Sequence, residues 1–548
     1  MCVLAGAFAL ALAPSVRAAD RKMVSFAWEW HRSGAKELLA LQPQVAAAGY
    51  DGIGVDLRFP HREGTNTVWW GTSRGIMEQP DWDWDELAVE LDDFRKLTGL
   101  DGFRECFVSG YRVPAKRFAW TDDASWGRIS RKMTQLARYA KLAGFAGICI
   151  DHEDYTLQRQ FEHLPDDPPM PEMAALARRR GRELVAGAFA EYPALKLWFF
   201  WFFSEIRDSV ARVSEAGDAM LDSNFVLGNF LNGILDAMPP EARIIEGNEC
   251  SYQFESGCYE YYRNAVMQRH ALAGAAAPEN REKYRTQVLQ GSALYLDMYV
   301  QTNAASAWYR APYAGSRLGM FRRDLHQALD ACDGYVWTWS ERNPIVKREK
   351  RAKWDRFPDP IWWNPTYDEK MPGFNRAIRA IKCPERFLAE DFPAIRASGA
   401  LSNRISAVFT DRTPKWQEEM KDRSVGTFEP SKDGGRYMRV TGCSKGCVMP
   451  GISGCAAGEV YVLRIRVRNA GGGFWAYANY SGHGSRWPFF LPHTALKFSR
   501  PDAEGWQQGE CVAVIPEGAT TLSLVTFFRQ NAGEKCYLSE PEIFKLEN

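Results

Sequence analysis

The sequence predicts an α/β protein: a (β/α)8 TIM barrel followed by an all-β jelly-roll sandwich. Three observations predict it. From Lys22 to about Arg386, short apolar strand-like runs alternate with helix-like segments. Past Ala400 the helical periodicity fades, and short strands appear between Gly, Ser, Pro and Asn. No GxGxxG or Walker pattern supports the alternative, an open doubly wound sheet.

The barrel strands are expected at Met23–Trp30, Gly52–Leu57, Gly102–Ser109, Ala146–His152, Leu195–Phe203, Arg243–Glu249, Ala293–Val300 and Gly334–Ser340. Most are apolar without clean alternation, as in strands buried on both faces. The helices between them are read from apolar residues at three- and four-residue steps. Examples are Trp84-Leu87-Ala88-Leu91-Phe94-Leu97, Ile129–Leu142, Glu172–Ala190 and Leu318–Ala331. The sandwich strands are expected at Arg436–Thr441, Val460–Arg468, Phe474–Tyr480, Glu510–Ile515, Thr521–Phe528 and Glu542–Leu546. The domains are then a signal peptide over 1–18, the barrel over 19–386, a connecting segment over 387–425 and the sandwich over 426–548.

Composition narrows the function. Lys plus Arg and Asp plus Glu both number 68, so the net charge is zero and nothing marks a nucleic-acid binder. The 20 Trp suit a protein that stacks flat rings on sugar faces as well as one with large cores. Val3 to Ala13 is apolar, and Val16-Arg17-Ala18 forms a small-residue cleavage site, which predicts export to a secreted or periplasmic location. No other apolar run is long enough to span a bilayer, so no membrane insertion is expected. Of 12 Cys, Cys2 lies in the leader. Cys250 and Cys258 are placed to close a small loop. Cys443, Cys447, Cys455, Cys511 and Cys536 cluster where bridges are plausible, and Cys106 and Cys149 read as buried thiols. No CxxC pair or HExxH is present, so neither a cofactor nor a catalytic metal is expected.

The most informative segment is Ala146-Gly-Ile-Cys-Ile-Asp151-His-Glu153-Asp-Tyr155. Residues alternate faces along a strand, so Cys149, Asp151 and Glu153 share one face and His152 points away. This sets two carboxylates at the carboxyl end of a barrel strand, where ligands bind in this fold. The other strand ends add Trp28, Glu29 and Trp30; Asp56 and Arg58; Tyr111 and Arg112; Glu205; Glu246, Asn248 and Glu249; Asp297 and Tyr299; and Trp337, Trp339 and Glu341. Each acid alone reads as a cap or loop residue. Together they form a rim of acids and aromatics suited to a neutral, hydroxyl-rich substrate.

Glycosidic cleavage needs one carboxylic acid to protonate the leaving oxygen and a second carboxylate to stabilise the sugar cation, attack it or activate water. Glu153 is the expected acid, because the charge of Asp151 disfavours its ionisation. Glu249 and Glu341 are the candidates for the second carboxylate. Trp28, Trp30, Asp56, Arg58, Asn248, Asp297, Tyr299, Trp337 and Trp339 are the expected substrate-binding set; for Asp297 a buried hydrogen-bonding role is ranked above a catalytic one.

The segment Ala146 to Tyr155 resembles the strand-four motif of chitinase-type barrel glycosidases, DxxDxDxE followed by an aromatic residue. Asp151 matches the third Asp and Glu153 the Glu, while Ala146 and Cys149 replace the first two Asp. The resemblance implies Glu153 as proton donor. The C-terminal region resembles galactose-binding-like carbohydrate-binding modules through Trp506-Gln507, Ile515-Pro516-Glu517-Gly518-Ala519 and Pro541–Leu546. For Trp475, Tyr477, Tyr480 and Trp487, packing in the core or between domains is ranked above a sugar platform. The expectation is a secreted glycoside hydrolase acting on a poly- or oligosaccharide. The alternative is a non-catalytic carbohydrate-binding protein with a degenerate barrel; a polysaccharide lyase or metal-dependent hydrolase is a third class.

Overall fold

The computed structural model describes residues 21–546 apart from 32, 113–116, 154–159, 207–222, 314, 349–363, 406–427, 431–435, 443–445, 449, 470–472, 483–493, 532 and 540. The expected leader, Asp154, Cys443 and Trp487 lie outside the described residues. The chain divides into two compact units. One runs through Phe254 and takes in Tyr261–Tyr295 and Ala328–Asn364; the other takes Glu255–Glu260, Leu296–Gln327 and Pro365–Asn548.

The first unit holds a closed barrel of eight strands: β1 (Lys22–Ala27), β2 (Gly52–Val55), β3 (Phe107–Arg112), β4 (Gly147–Asp151), β5 (Lys196–Phe199), β6 (Arg243–Glu246), β7 (Val288–Tyr295) and β8 (Tyr335–Ser340). Each pairs in parallel with the next, and β8 closes on β1 through Tyr335 opposite Lys22. Long helices connect them, among them Asp123–Ala143 and Met170–Glu191. The Asp123 helix begins on the Asp122 side chain, which accepts from Ser125 N, and ends on left-handed Gly144.

Aromatic rings fill the barrel. Phe26 lies 5.1 Å from Trp198, 5.2 Å from Phe200 and 5.6 Å from Trp337, and Phe107 lies 5.0 Å from Trp198. Large rings need small neighbours at the same level. A Cβ on Gly54 would sit 2.1 Å from the Phe26 ring, which is why β2 carries glycine there. At the amino end, Lys196 Nζ donates to Glu105 at 2.8 Å and Tyr335 Oη donates to the same oxygen at 3.0 Å.

All eight expected strands are present, two of them displaced. β3 starts at Phe107, with an irregularity between Ser109 and Tyr111. β7 starts at Val288, and Leu296–Val300 is a short helix. The polar run Gln290-Gly291-Ser292 hid the start of β7, although all three residues are buried. Asp297 and Tyr299 are therefore helical, not strand-end, residues.

The second unit carries the sandwich. Its larger antiparallel sheet includes Arg436–Thr441, Val460–Asn469, Gln507–Val514, Lys535–Ser539 and Glu542–Lys545. Its smaller sheet is built on Gly473–Gly482 and Ala519–Arg529. Met438, Leu463, Ile465, Leu522, Leu524 and Leu538 are among the residues that form the core. Tyr480 joins that core, whereas Trp475 is 46% exposed and lies flat on Phe527 at 5.4 Å. Cys250 and Cys258 are free thiols and close no loop, and Cys455, Cys511 and Cys536 are free and buried. Burial pushes the Cys511 and Cys536 thiols up to about 12, so they behave as small hydrophobes. Cys106 and Cys149 are buried thiols, as expected. Among the described residues, no helix is long and apolar enough to cross a membrane.

Gly54→Ala should lower stability by about 1–3 kcal/mol, because its methyl group has no room beside Phe26. Gly274→Ala, where an added Cβ meets nothing within 4 Å, is the control and should not destabilise. Thermal denaturation of the two variants checks this; equal melting temperatures would contradict the packing.

Candidate active site

The site is built at the carboxyl ends of β4, β5, β6 and β8. β6 ends at Glu246, and the chain turns through Gly247 and Asn248 into a 3-10 helix that starts with Glu249. Asn248 holds a left-handed backbone, φ 55°, which Asn tolerates better than most residues. Its Oδ1 accepts from Gln268 Nε2 at 2.8 Å, and Glu249 N donates to Phe200 O at 3.1 Å. These bonds direct Glu249 toward β4 and β5.

β4 ends at Asp151, whose Oδ1 accepts from Glu153 N at 3.2 Å. Both side chains are half-buried. The Trp201 indole, two residues past the end of β5, donates to Glu153 Oε1 at 3.2 Å. Glu341 lies just past β8, where its carboxylate accepts from Trp339 Nε1 at 3.0 Å and Tyr295 Oη at 3.1 Å.

Electrostatics ties these acids into one group. Burial, then the charges of Glu153 and Asp151, push the Glu249 carboxyl well above the usual range, and Glu341 adds to this. The nearby Trp201 indole acts in the opposite direction. The Cys149 thiol is raised by burial and then by Asp151 and Glu249. The phenol of Tyr252, fully enclosed beside Tyr295 at 5.3 Å, is raised by burial and by Glu249 and Glu153. The structure thus brings together Asp151, Glu153, Glu249 and Glu341.

The expected binding residues divide sharply. Trp28 and Trp339 are partly exposed, with ring centroids 6.5 Å apart, and Arg58 keeps 36% of its side chain exposed while pairing with Asp56 at 3.1 Å. The others take buried places. Trp30 is fully buried, with its indole bonded to Ser25 Oγ at 2.8 Å. Trp337 is fully buried, stacked on Phe200 at 4.5 Å and bonded to Gly247 O at 2.8 Å. It shares a face with Trp339 and Glu341 but lies one layer deeper. Asp56 is buried and accepts from Thr72 Oγ1 at 3.2 Å and Ser73 N at 2.9 Å. Asn248 is buried at its turn. Asp297 accepts from Tyr367 Oη at 2.8 Å, and Tyr299 donates to Asp324 at 2.9 Å; both are buried.

Three rim acids also take structural places. Glu246 is fully buried and accepts from Phe202 N, Ser204 N, Ser204 Oγ and Asn248 N. Glu29 is buried, accepts from Ile345 N at 3.0 Å, and is pushed up to about 8 mainly by that burial. Glu205 pairs with His152 Nε2 at 2.5 Å. His152 points away from the acids, as expected, between the Phe161 and Phe199 rings. Burial lowers its pKa, but Glu205 outweighs this and the net shift is upward.

Sequence reasoning missed Trp201, Tyr252 and Tyr295. Placing the end of β5 at Phe203 hid Trp201 inside a strand; ending it at Phe199 puts Trp201 at the mouth. Among the described residues, no group of three or more His, Cys, Asp or Glu is arranged to hold a metal ion.

No family model matches the chain, and no curated protein matches it in sequence. Solved structures similar to it include an α-amylase of Geobacillus thermoleovorans complexed with acarbose, at 11% identity over 92% of this chain and 98% of that one, TM-score 0.30. A glycoside hydrolase family 5 protein from Bacteroides vulgatus is 11% identical over 95% of this chain and 89% of its own, TM-score 0.29. A CBM4 structure covers 22% of this chain and 77% of its own, at 12% identity and TM-score 0.17.

Proposed function

We propose that this protein is a glycoside hydrolase that cleaves a neutral poly- or oligosaccharide between Glu249 and Glu153. The observation that carries this reading is the buried Glu249 carboxyl within reach of the charges of Glu153 and Asp151 at the mouth of the barrel, with Trp201 Nε1 donating to Glu153 Oε1 at 3.2 Å. Glycosidic hydrolysis needs one carboxyl group protonated and the other ionised on either side of the bond. Burial and the charges of Glu153 and Asp151 hold the proton on Glu249. Glu249 is then the donor to the leaving oxygen, and Glu153 is the carboxylate that meets the developing positive charge. This exchanges the roles expected from the sequence.

Asp151 and Glu341 supply the surrounding negative field, which favours an oxocarbenium-like transition state. Trp28 and Trp339 offer partly exposed rings for the apolar face of a sugar. Export through the 1–18 leader belongs to the same reading, since a polysaccharide is met outside the cytoplasm.

A screen on polysaccharides and aryl glycosides, N-acetylated ones included, tests the reading. Glu153→Gln and Glu249→Gln should each lower kcat/KM by at least ~10²-fold without unfolding the protein. Wild-type protein that binds glycans but turns none over would favour the binding-protein alternative.

The acid role of Glu249 fixes the pH dependence. Activity needs its protonated form, so the alkaline limb of kcat/KM should lie well above the ordinary value of 4.5. An alkaline limb near the ordinary value of 4.5 would remove Glu249 from that role.

A raised carboxyl pKa also costs stability above the unfolded-state pKa, because the folded form resists ionisation. Glu249→Gln should therefore raise Tm at neutral pH, and the gap should close as pH falls toward 4.5. A Tm difference independent of pH would show that Glu249 ionises normally.

A further inference from the structure

Residues two apart on a strand face the same way, so Trp339 on β8 and Glu341 just past its end project together. Trp339 Nε1 donates to Glu341 Oε1 at 3.0 Å. Tyr295, the last residue of β7, donates its Oη to Glu341 Oε2 at 3.1 Å. Tyr295 is itself buried, 5.3 Å from the Tyr252 ring. Each carboxylate oxygen thus has its own donor, and the two donors come from different strands. A carboxylate bonded on both oxygens has a fixed plane as well as a fixed position.

The same bond fixes the indole, whose N–H edge is turned to Glu341. Phe200, Trp28 and His31 surround it, with ring centroids at 6.1, 6.5 and 5.9 Å and all three rings steeply inclined to it. Trp339 and Glu341 both stay partly exposed. An indole with its N–H already bonded offers its apolar face to a ligand. A pyranose lying on such a face turns its equatorial hydroxyls outward around its edge, toward the side where the carboxylate stands. Phe200 also places this pair beside the acids of the site. Its carbonyl accepts the Glu249 N–H at 3.1 Å, and the next residue, Trp201, donates to Glu153.

We propose that Trp339 and Glu341 form a sugar subsite beside the reacting pair, in which the indole carries the ring of a neutral pyranose and Glu341 determines specificity by accepting a hydrogen bond from one of its equatorial hydroxyls. The proposal rests on the reading of the barrel mouth as the cleft of a hydrolase. Tyr295 acts through Glu341 and is a positioning residue. A sugar without that hydroxyl is rejected, because it takes the carboxylate out of water and returns no bond. A uronic acid is rejected at the same place, because its carboxylate meets the charge of Glu341.

The test deletes a substrate hydroxyl and a side chain in turn. The aryl glycoside that wild-type protein turns over fastest is compared with its monodeoxy analogues, each lacking one ring hydroxyl. For one of them kcat/KM should fall by about 10- to 100-fold, the loss expected for one hydrogen bond to a charged group. In Glu341→Ala that penalty should shrink by at least ~10-fold, because the hydroxyl and the carboxylate are coupled. A side chain with only a structural role would lower all substrates alike, so penalties unchanged in Glu341→Ala overturn the proposal. If that variant does not fold, Tyr295→Phe decides: it keeps the ring, removes the donor to Oε2 and should reduce the same penalty, and an unchanged penalty overturns the proposal. Wild-type protein that turns over no glycoside counts against the hydrolase reading, and the subsite is then read by calorimetric titration with cellotriose, xylotriose, mannotriose and chitotriose. Glu341→Ala should weaken the tightest binder by at least ~10-fold. Unchanged affinity, or no binding of any of the four by wild type, overturns the proposal.

Discussion

The stack of Phe200 on Trp337, 4.5 Å apart and within 11° of parallel, is the floor of the mouth. Phe200 follows the end of β5, and its carbonyl accepts the Glu249 N–H at 3.1 Å. Trp337 comes from β8, and its indole donates to the Gly247 carbonyl at 2.8 Å. One ring pair therefore joins the ends of three strands and sets the backbone from which Trp201, Glu249 and Glu341 project. Below it, Phe26, Phe107 and Trp198 close the barrel interior with apolar surface. Glu249 sits above this aromatic layer, and its burial disfavours its charge.

The rim acids divide by the donors that meet them. Asp56 has Arg58, Thr72 Oγ1 and Ser73 N; Glu246 has two loop N–H groups, a hydroxyl and Asn248 N; Glu205 has His152. Matched in this way, a buried acid serves as an anchor, because its ionised form is bonded by fixed dipoles. Glu153 accepts one indole N–H, from Trp201, and its charge falls on buried Glu249. An unequal division of protons at such a pair is characteristic of functional sites. The anchors and the pair are also connected, since Glu246 and Glu205 hold the turn from which Trp201 projects.

Much of the frame was legible in the sequence. β-branched and aromatic runs separated by amphipathic helices located eight strands, and alternation set Asp151 and Glu153 on one face with His152 on the other. What was not legible was depth. Trp337, Trp339 and Glu341 share one face of β8, and periodicity treats them alike, yet the first is core, the second half-open and the third at the mouth. Trp30 was misplaced for the same reason. β7 was read five residues late because buried Gln290 and Ser292 look like a loop, and that error carried Asp297 and Tyr299 into the expected site.

The sequence alone determined the barrel-then-sandwich order and the strand that ends at Asp151, two residues before Glu153, because hydrophobic periodicity is a local property of the chain. Only the tertiary structure decided which acids meet. Glu153 and Glu249 are far apart in the chain, and the indole that donates to Glu153 comes from a third strand end. Proton affinity at such a site depends on burial and on neighbours across space. No local pattern encodes those, so the partner of Glu153 became visible only when the barrel closed.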